Sequence, residues 1–175
     1  MANYAYIERI QPPIRREAFL PMVADAVHDV LGPRWQAAWA DFKLDGPTIL
    51  VTVPGTAKYV EDFWGAANGD CPPEDVGFTV SLKTSRRIAF RHSLNMEFAR
   101  WAQGCIEEEL SERLNAPLYY DAGPTTYKPG RCEYRRGKTL RQYLLRNFFD
   151  GKVEDAEHEA MLQRMMRGTP AGFDQ

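Results

Sequence analysis

Residues 95–121 read NMEFARWAQGCIEEELSERLNAPLYYD, and this stretch decides the fold class. Phe98, Ala102, Ile106, Leu110 and Leu114 recur at every fourth position, which predicts a helix from about Asn95 to Leu114 with an apolar row. Met96, Trp101 and Cys105 widen that row, while Glu97, Arg100, Gln103, Glu107, Glu108 and Glu112 read as its solvated side. Within the Glu107–Glu109 run, neighbouring side chains point in three directions and only Glu108 and Glu112 share a face. Asn115 and Pro117 end the helix, and PLYYD (117–121) resumes extended structure. A long amphipathic helix that hands over at once to a strand must pack on a sheet.

Working outward, the strands come first. Tyr4, Tyr6 and Glu8 alternate with Ala5, Ile7 and Arg9, a short strand closed by Pro12 and Pro13. TILVTV (48–53) follows the DGP turn at 45–47, which predicts a hairpin with the residues around Phe42 and Leu44. GFTVSLK (77–83) sets Phe78, Val80 and Leu82 on one face, and SRRIAFRH (85–92) continues the sheet. Phe19, Met22, Val23, Ala26, Val27, Val30 and Leu31 mark an earlier helix that begins near Pro21 and stops at Gly32-Pro33. AGPTTYKPG reads as a loop, and a strand is expected around Cys132–Arg135. Thr139 and Gln142 form a T-x-x-Q capping signal for a helix through Phe149, with Leu140, Tyr143, Leu144 and Phe148 inward. A last helix runs from about Val153 to Arg167, and residues 169–175 read as a loose tail. The expected fold is α+β: one domain over 1–175, a mainly antiparallel sheet packed by a long central helix, with two C-terminal helices.

Composition narrows the function. The chain has 175 residues, 44% apolar and 26% charged, which suits a globular protein and not a disordered one. Twenty-two Lys and Arg against 24 Asp and Glu give a net charge of -2, a poor profile for coating nucleic acid or anionic membrane. No apolar run approaches the ~18 residues of a membrane span, and MANYAYIERIQPP lacks the pattern of a secretion signal, so a cytoplasmic location is expected. Three cysteines without close spacing predict neither a disulfide framework nor a CxxC metal site.

Catalytic patterns are equally scarce. His28 lies between Asp25 and Asp29 on the polar side of its helix, and His92 stands at a helix entry behind Arg86, Arg87 and Arg91. His158 pairs with Glu154 one turn away, but no second His follows at i+4 to build a zinc site. Cys105 belongs to the apolar row, Cys71 sits among carboxylates that blunt a thiol, and Cys132 lies among arginines without a nucleophile turn. No phosphate-binding loop and no G-x-S-x-G occurs. No metal, cofactor or catalytic residue is therefore expected. The enzymatic alternative would combine Asp121, His92 and arginines on a phosphate or acyl substrate.

Charge segregation stands out. Residues 61–75 hold Glu61, Asp62, Asp70, Glu74 and Asp75 and no Lys or Arg, with Phe63 and Trp64 among them. Residues 128–146 are basic, with Lys128, Arg131, Arg135, Arg136, Lys138, Arg141 and Arg146 against Glu133, and residues 150–159 are acidic again. The basic segment could serve nucleic acid or pair with the acidic stretches of its own chain. An acidic loop with an aromatic anchor suits a protein partner that offers a basic cleft. Asp62, Phe63, Trp64, Asp70, Glu74 and Asp75 are the expected partner-binding residues.

The passage from Met96 to Asp121, a helix rich in Ala, Leu and Glu followed by ERLNAPLYYD, resembles bacterial immunity proteins of polymorphic toxin systems. That resemblance implies a small α+β intracellular inhibitor that binds a cognate toxin domain and performs no chemistry.

Overall fold

The computed structural model describes residues 4–31, 41–52, 77–91, 97–121, 126–127 and 139–166. Among these, the elements in chain order are β1 (Tyr4–Ile7), α1 (Arg16–Leu31), β2 (Asp41–Asp45), β3 (Thr48–Thr52), β4 (Gly77–Thr84) and β5 (Arg87–Arg91). They continue with α2 (Glu97–Leu114), β6 (Leu118–Tyr120), β7 (Thr126–Tyr127), α3 (Leu140–Phe148) and α4 (Ala156–Met165). The strands form one seven-stranded sheet in the order β2-β3-β4-β5-β1-β6-β7. Every pairing is antiparallel. The fold is α+β.

The sheet grows by short hairpins at one end. Asp45 lies opposite Thr48, so Gly46 and Pro47 are the whole β2–β3 loop, and Gly46 takes φ +58°. Proline cannot follow it into positive φ, which leaves the II′ pattern with glycine first. At the start of β4, Gly77 lies opposite Thr52, and a Cβ there would stand 2.5 Å from the Val51 carbonyl oxygen. A side chain cannot fit at that crossing. The β4–β5 turn is clamped by the segment after β1: Ile10 N–H donates to Arg86 O (3.2 Å), Ile14 N–H to Ser85 O (2.7 Å), and Arg86 Nη1 to Ile10 O (2.9 Å).

Alternation along each strand separates two faces. Ala5, Ile7, Ile49, Val51, Phe78, Val80, Ile88, Phe90 and Leu118 are buried on one of them. Phe98, Ala102, Ile106 and Leu110 of α2 close onto that core together with Phe19, Val23, Ala26 and Val27 of α1. Cys105 belongs to the same core, as its place in the row predicts. Leu140, Leu144 and Leu162 extend the core to α3 and α4. Each large side chain buried in this way stabilises the fold by roughly 1.5–3 kcal/mol relative to exposure.

Helix ends follow local chemistry. Asn115 adopts φ +46° after α2, with Asn115 N–H donating to Glu112 O and Ala116 N–H to Ser111 O, both at 3.1 Å. Those two bonds are the Schellman pair, which Asn serves because its side chain tolerates the left-handed region. Thr139 and Asp155 accept from Gln142 N–H (3.2 Å) and His158 N–H (2.8 Å), capping α3 and α4. Between these helices Arg141 holds Glu159 through two bonds of 3.3 and 3.2 Å. That guanidinium, and then Gln163, keep the Glu159 carboxyl below its ordinary value.

Four sequence expectations need correction. The first helix begins at Arg16, so Pro21 sits inside it. Pro21 and Glu17, whose carbonyl the ring leaves unbonded, are both exposed, so water can satisfy that oxygen. Phe148 is not inward but 56% exposed, because α3 turns only Leu140 and Leu144 fully to the core. Thr126–Tyr127, expected as loop, pairs with β6 as the last strand. The polar side of α2 is solvated only in part: Arg100 is exposed and Glu112 half-buried, but Gln103, Glu107 and Glu108 are 1%, 0% and 3% exposed. Glu107 accepts from Gln103 Nε2 on one oxygen and from Tyr120 OH on the other, each at 3.0 Å, which offsets the cost of burying a polar group. The strand expected at Cys132–Arg135 and the tail from 169 lie outside the described residues.

Candidate functional site

The six partner-binding residues expected from sequence, Asp62, Phe63, Trp64, Asp70, Glu74 and Asp75, lie outside the described residues. So do His92, Cys71 and Cys132. Among the described residues, the surface richest in interaction chemistry is the sheet face opposite the helices.

Its centre is β1, whose even positions turn away from the core. Register sets Arg91 opposite Tyr4 and Ala89 opposite Tyr6 on the β5 side, and Tyr119 opposite Tyr6 on the β6 side. The Asp121 N–H donates to Tyr4 O at 3.1 Å, which continues the β6 pairing and brings its carboxylate to the same face. Tyr4 and Tyr6 stack with centroids 6.1 Å apart and planes 12° apart, the spacing of successive outward residues on one strand. The Arg87 guanidinium lies over the Tyr6 ring at 4.3 Å, a cation–π contact. Arg87 Nε is 3.0 Å from Glu8 Oε1, but its N–H is misaligned and makes no hydrogen bond, so the contact is an ion pair only. Tyr6 OH donates to Asp121 Oδ2 at 3.5 Å, the long limit of such a bond. Burial, and then the charge of Asp121, push the Tyr6 phenol above its ordinary value, with Arg87 opposing.

Tyr4, Tyr6 and Tyr119 are half-buried, whereas Arg91 and Asp121 are exposed. Ala89 and Ser81 fill the middle of the face, where Ser81 Oγ and Thr48 Oγ1 lie 2.8 Å apart. The sheet therefore presents aromatic rings bordered by arginines and carboxylates. The enzymatic alternative gains one point here: Asp121 and Arg91 flank the same residue, Tyr4.

The other sequence candidates are placed as follows. Arg141 of the basic segment pairs with Glu159 of the following acidic stretch, and Lys128, Arg131, Arg135, Arg136 and Lys138 lie outside the described residues. His28 is exposed with Nδ1 3.9 Å from Asp29 Oδ1, as its place on the polar face predicts. His158 does not stand free beside Glu154; its ring meets Phe149 edge-on at 5.9 Å. Arg113 bridges Asp29 of α1 and Glu109 of its own helix. Among the described residues no three His, Cys, Asp or Glu are placed to hold a metal ion, and no helix is long and apolar enough to cross a membrane.

Sequence reasoning did not single out this face, although its signal was present. Tyr at both outward positions of β1, and Arg at 87 and 91 on β5, are large recognition side chains at period-two spacing where Ser, Thr or Lys would suffice for solubility. Their convergence needs β1 to sit between β5 and β6, which alternation alone does not reveal. Comparison with protein families, curated proteins and solved structures yields no match for this chain.

Proposed function

We propose that the protein is a non-catalytic protein-binding inhibitor of the immunity type, which neutralises a cognate toxin or enzyme by occluding it. The observation that carries this reading is the sheet face with Tyr4, Tyr6 and Tyr119 partly open to solvent and Arg87 and Arg91 beside them. Tyr and Arg dominate the residues that carry binding energy at protein interfaces, because each contributes a large contact with few rotors to freeze or a fixed fork of donors. The stacked pair, the cation–π contact and the ion pair hold these side chains in place before any partner arrives, which lowers the ordering cost of association. The acidic segment with Phe63 and Trp64 remains in the proposal as a second contact, suited to a basic cleft on a toxin domain.

Affinity capture from the host, followed by reconstitution of the purified pair, tests the reading. A stoichiometric complex in which the partner's activity falls along the binding curve is expected. A captured protein whose activity is untouched at saturation would sink the inhibitor assignment. The second reading, an enzyme acting on a phosphate or acyl substrate, rests on Asp121 and Arg91 flanking Tyr4. It requires turnover by the isolated chain that Asp121→Asn abolishes.

A further inference from the structure

We infer that the β5-β1-β6 part of this sheet face receives a protein surface of mixed charge, with an acidic group seated over β5, a basic group over the β6 end, and an apolar strip between them. This deepens the binding reading above and rests on it.

The charges of the face are sorted, not scattered. Arg87 and Arg91 lie on β5, Tyr4 and Tyr6 lie on β1 with Glu8 just past its end, and Asp121 lies across β1 from the arginines, just beyond β6. At one end Arg87 and Glu8 are already within 3.0 Å of each other, so that end offers little free charge. At the other end Arg91 and Asp121 flank Tyr4 from opposite strands, one strand spacing away on each side, and are therefore about 10 Å apart. Both are exposed, and neither forms an ion pair with another described residue, although Asp121 accepts the long bond from Tyr6 OH. That end carries opposite charges on either side of Tyr4, whose ring stacks on Tyr6.

This pair of charges selects its occupant. A polyanion that follows Arg91 would carry its next charge toward Asp121 and meet repulsion, so a nucleic-acid strand fits one side of the face only. A cationic peptide fails at Arg91 for the same reason. A folded protein surface with a carboxylate and a basic side chain about 10 Å apart satisfies both ends, and its intervening aliphatic or aromatic side chain covers Tyr4 and Tyr6.

The test uses the full chain in its host with a photo-reactive phenylalanine derivative at position 119, on the face, or at position 161 on α4. Met161 is 48% exposed and far in sequence from the face, which makes it the control. The expected result is a protein adduct from position 119 and none from 161. With that adduct's protein purified, Arg91→Glu and Asp121→Arg should each weaken binding at least tenfold, and Tyr4→Ala should speed dissociation. Arg91→Gln and Asp121→Asn, with a melt on each variant, keep the comparison valid should a charge reversal perturb folding. A protein adduct from 161 alone overturns the face assignment and leaves the inhibitor reading standing. A nuclease-sensitive adduct at 119 overturns the protein occupant. An adduct at 119 with binding changed less than twofold by both swaps overturns the mixed-charge match. No adduct at either position overturns the binding reading and this inference with it.

Discussion

Glu107 is a carboxylate without exposure in the middle of a long helix, held by Gln103 and Tyr120. Its replacement by Ala removes the acceptor of the buried Gln103 amide and of the half-buried Tyr120 hydroxyl, and one buried donor left unpaired costs about 1–3 kcal/mol, so Glu107→Ala should destabilise by about 1–3 kcal/mol in urea melts. A change below about half a kcal/mol, ordinary for a surface position, would mean that the carboxylate is in water. Tyr6 gives a second expectation, with the opposite chemistry. Its phenol ionises above the ordinary value of 10.0 in the folded chain because burial and Asp121 disfavour the phenolate. The unfolded chain therefore releases this proton first as pH rises, and folding loses stability from about pH 10 upward through the folded pKa. Below pH 10 the contribution is complete. Denaturant midpoints taken on both sides of that pH should fall less for Tyr6→Phe than for the unaltered chain. Equal falls would show that Tyr6 titrates as a free phenol.

At the scale of elements, α2 packs on α1, α3 and the strands β4 and β6. Ile106, fully buried near its centre, belongs to the hydrophobic core that the sheet and the helices share. Ile106→Ala should cost about 2–5 kcal/mol, the range for removing a buried aliphatic group and leaving a cavity. A denaturant melt that moves by less than half a kcal/mol would reverse the assignment of the helix face. The apolar row of α2 was legible because periodicity reports which side faces apolar neighbours. The burial of Gln103, Glu107 and Glu108 was not, because it depends on partners such as Tyr120, which stands thirteen residues away. Helical spacing records where apolar groups recur; it carries no sign of a polar group buried with partners. The start of α1 was missed for a related reason, since the cost of an internal proline is local and the burial of Phe19, Val23, Ala26 and Val27 that offsets it is not.

At the largest scale, the buried apolar side chains of the described residues form one core, to which Cys105 contributes as a small apolar side chain. Thermal melts with and without reductant or chelator should coincide, and a midpoint that moves with either would reveal a covalent or metal link. The α+β class and the hairpin elements could be read from alternation and turn chemistry, whereas the candidate site could not, because it is made by strand order. Tyr4 and Tyr6 meet Arg91, Arg87 and Asp121 only because the first strand lies inside the sheet, between the fifth and the sixth. That placement also sets a schedule for synthesis. Ala5 and Ile7 leave the ribosome well before their neighbours, which end at Arg91 on one side and at Tyr120 on the other. At translation rates of about 5–20 residues per second, the first strand waits roughly 6–25 s before both of its edges can be paired. Through that interval Ala5 and Ile7 have no sheet to be buried in, and the helix between Arg16 and Leu31 is complete long before the sheet it rests on exists.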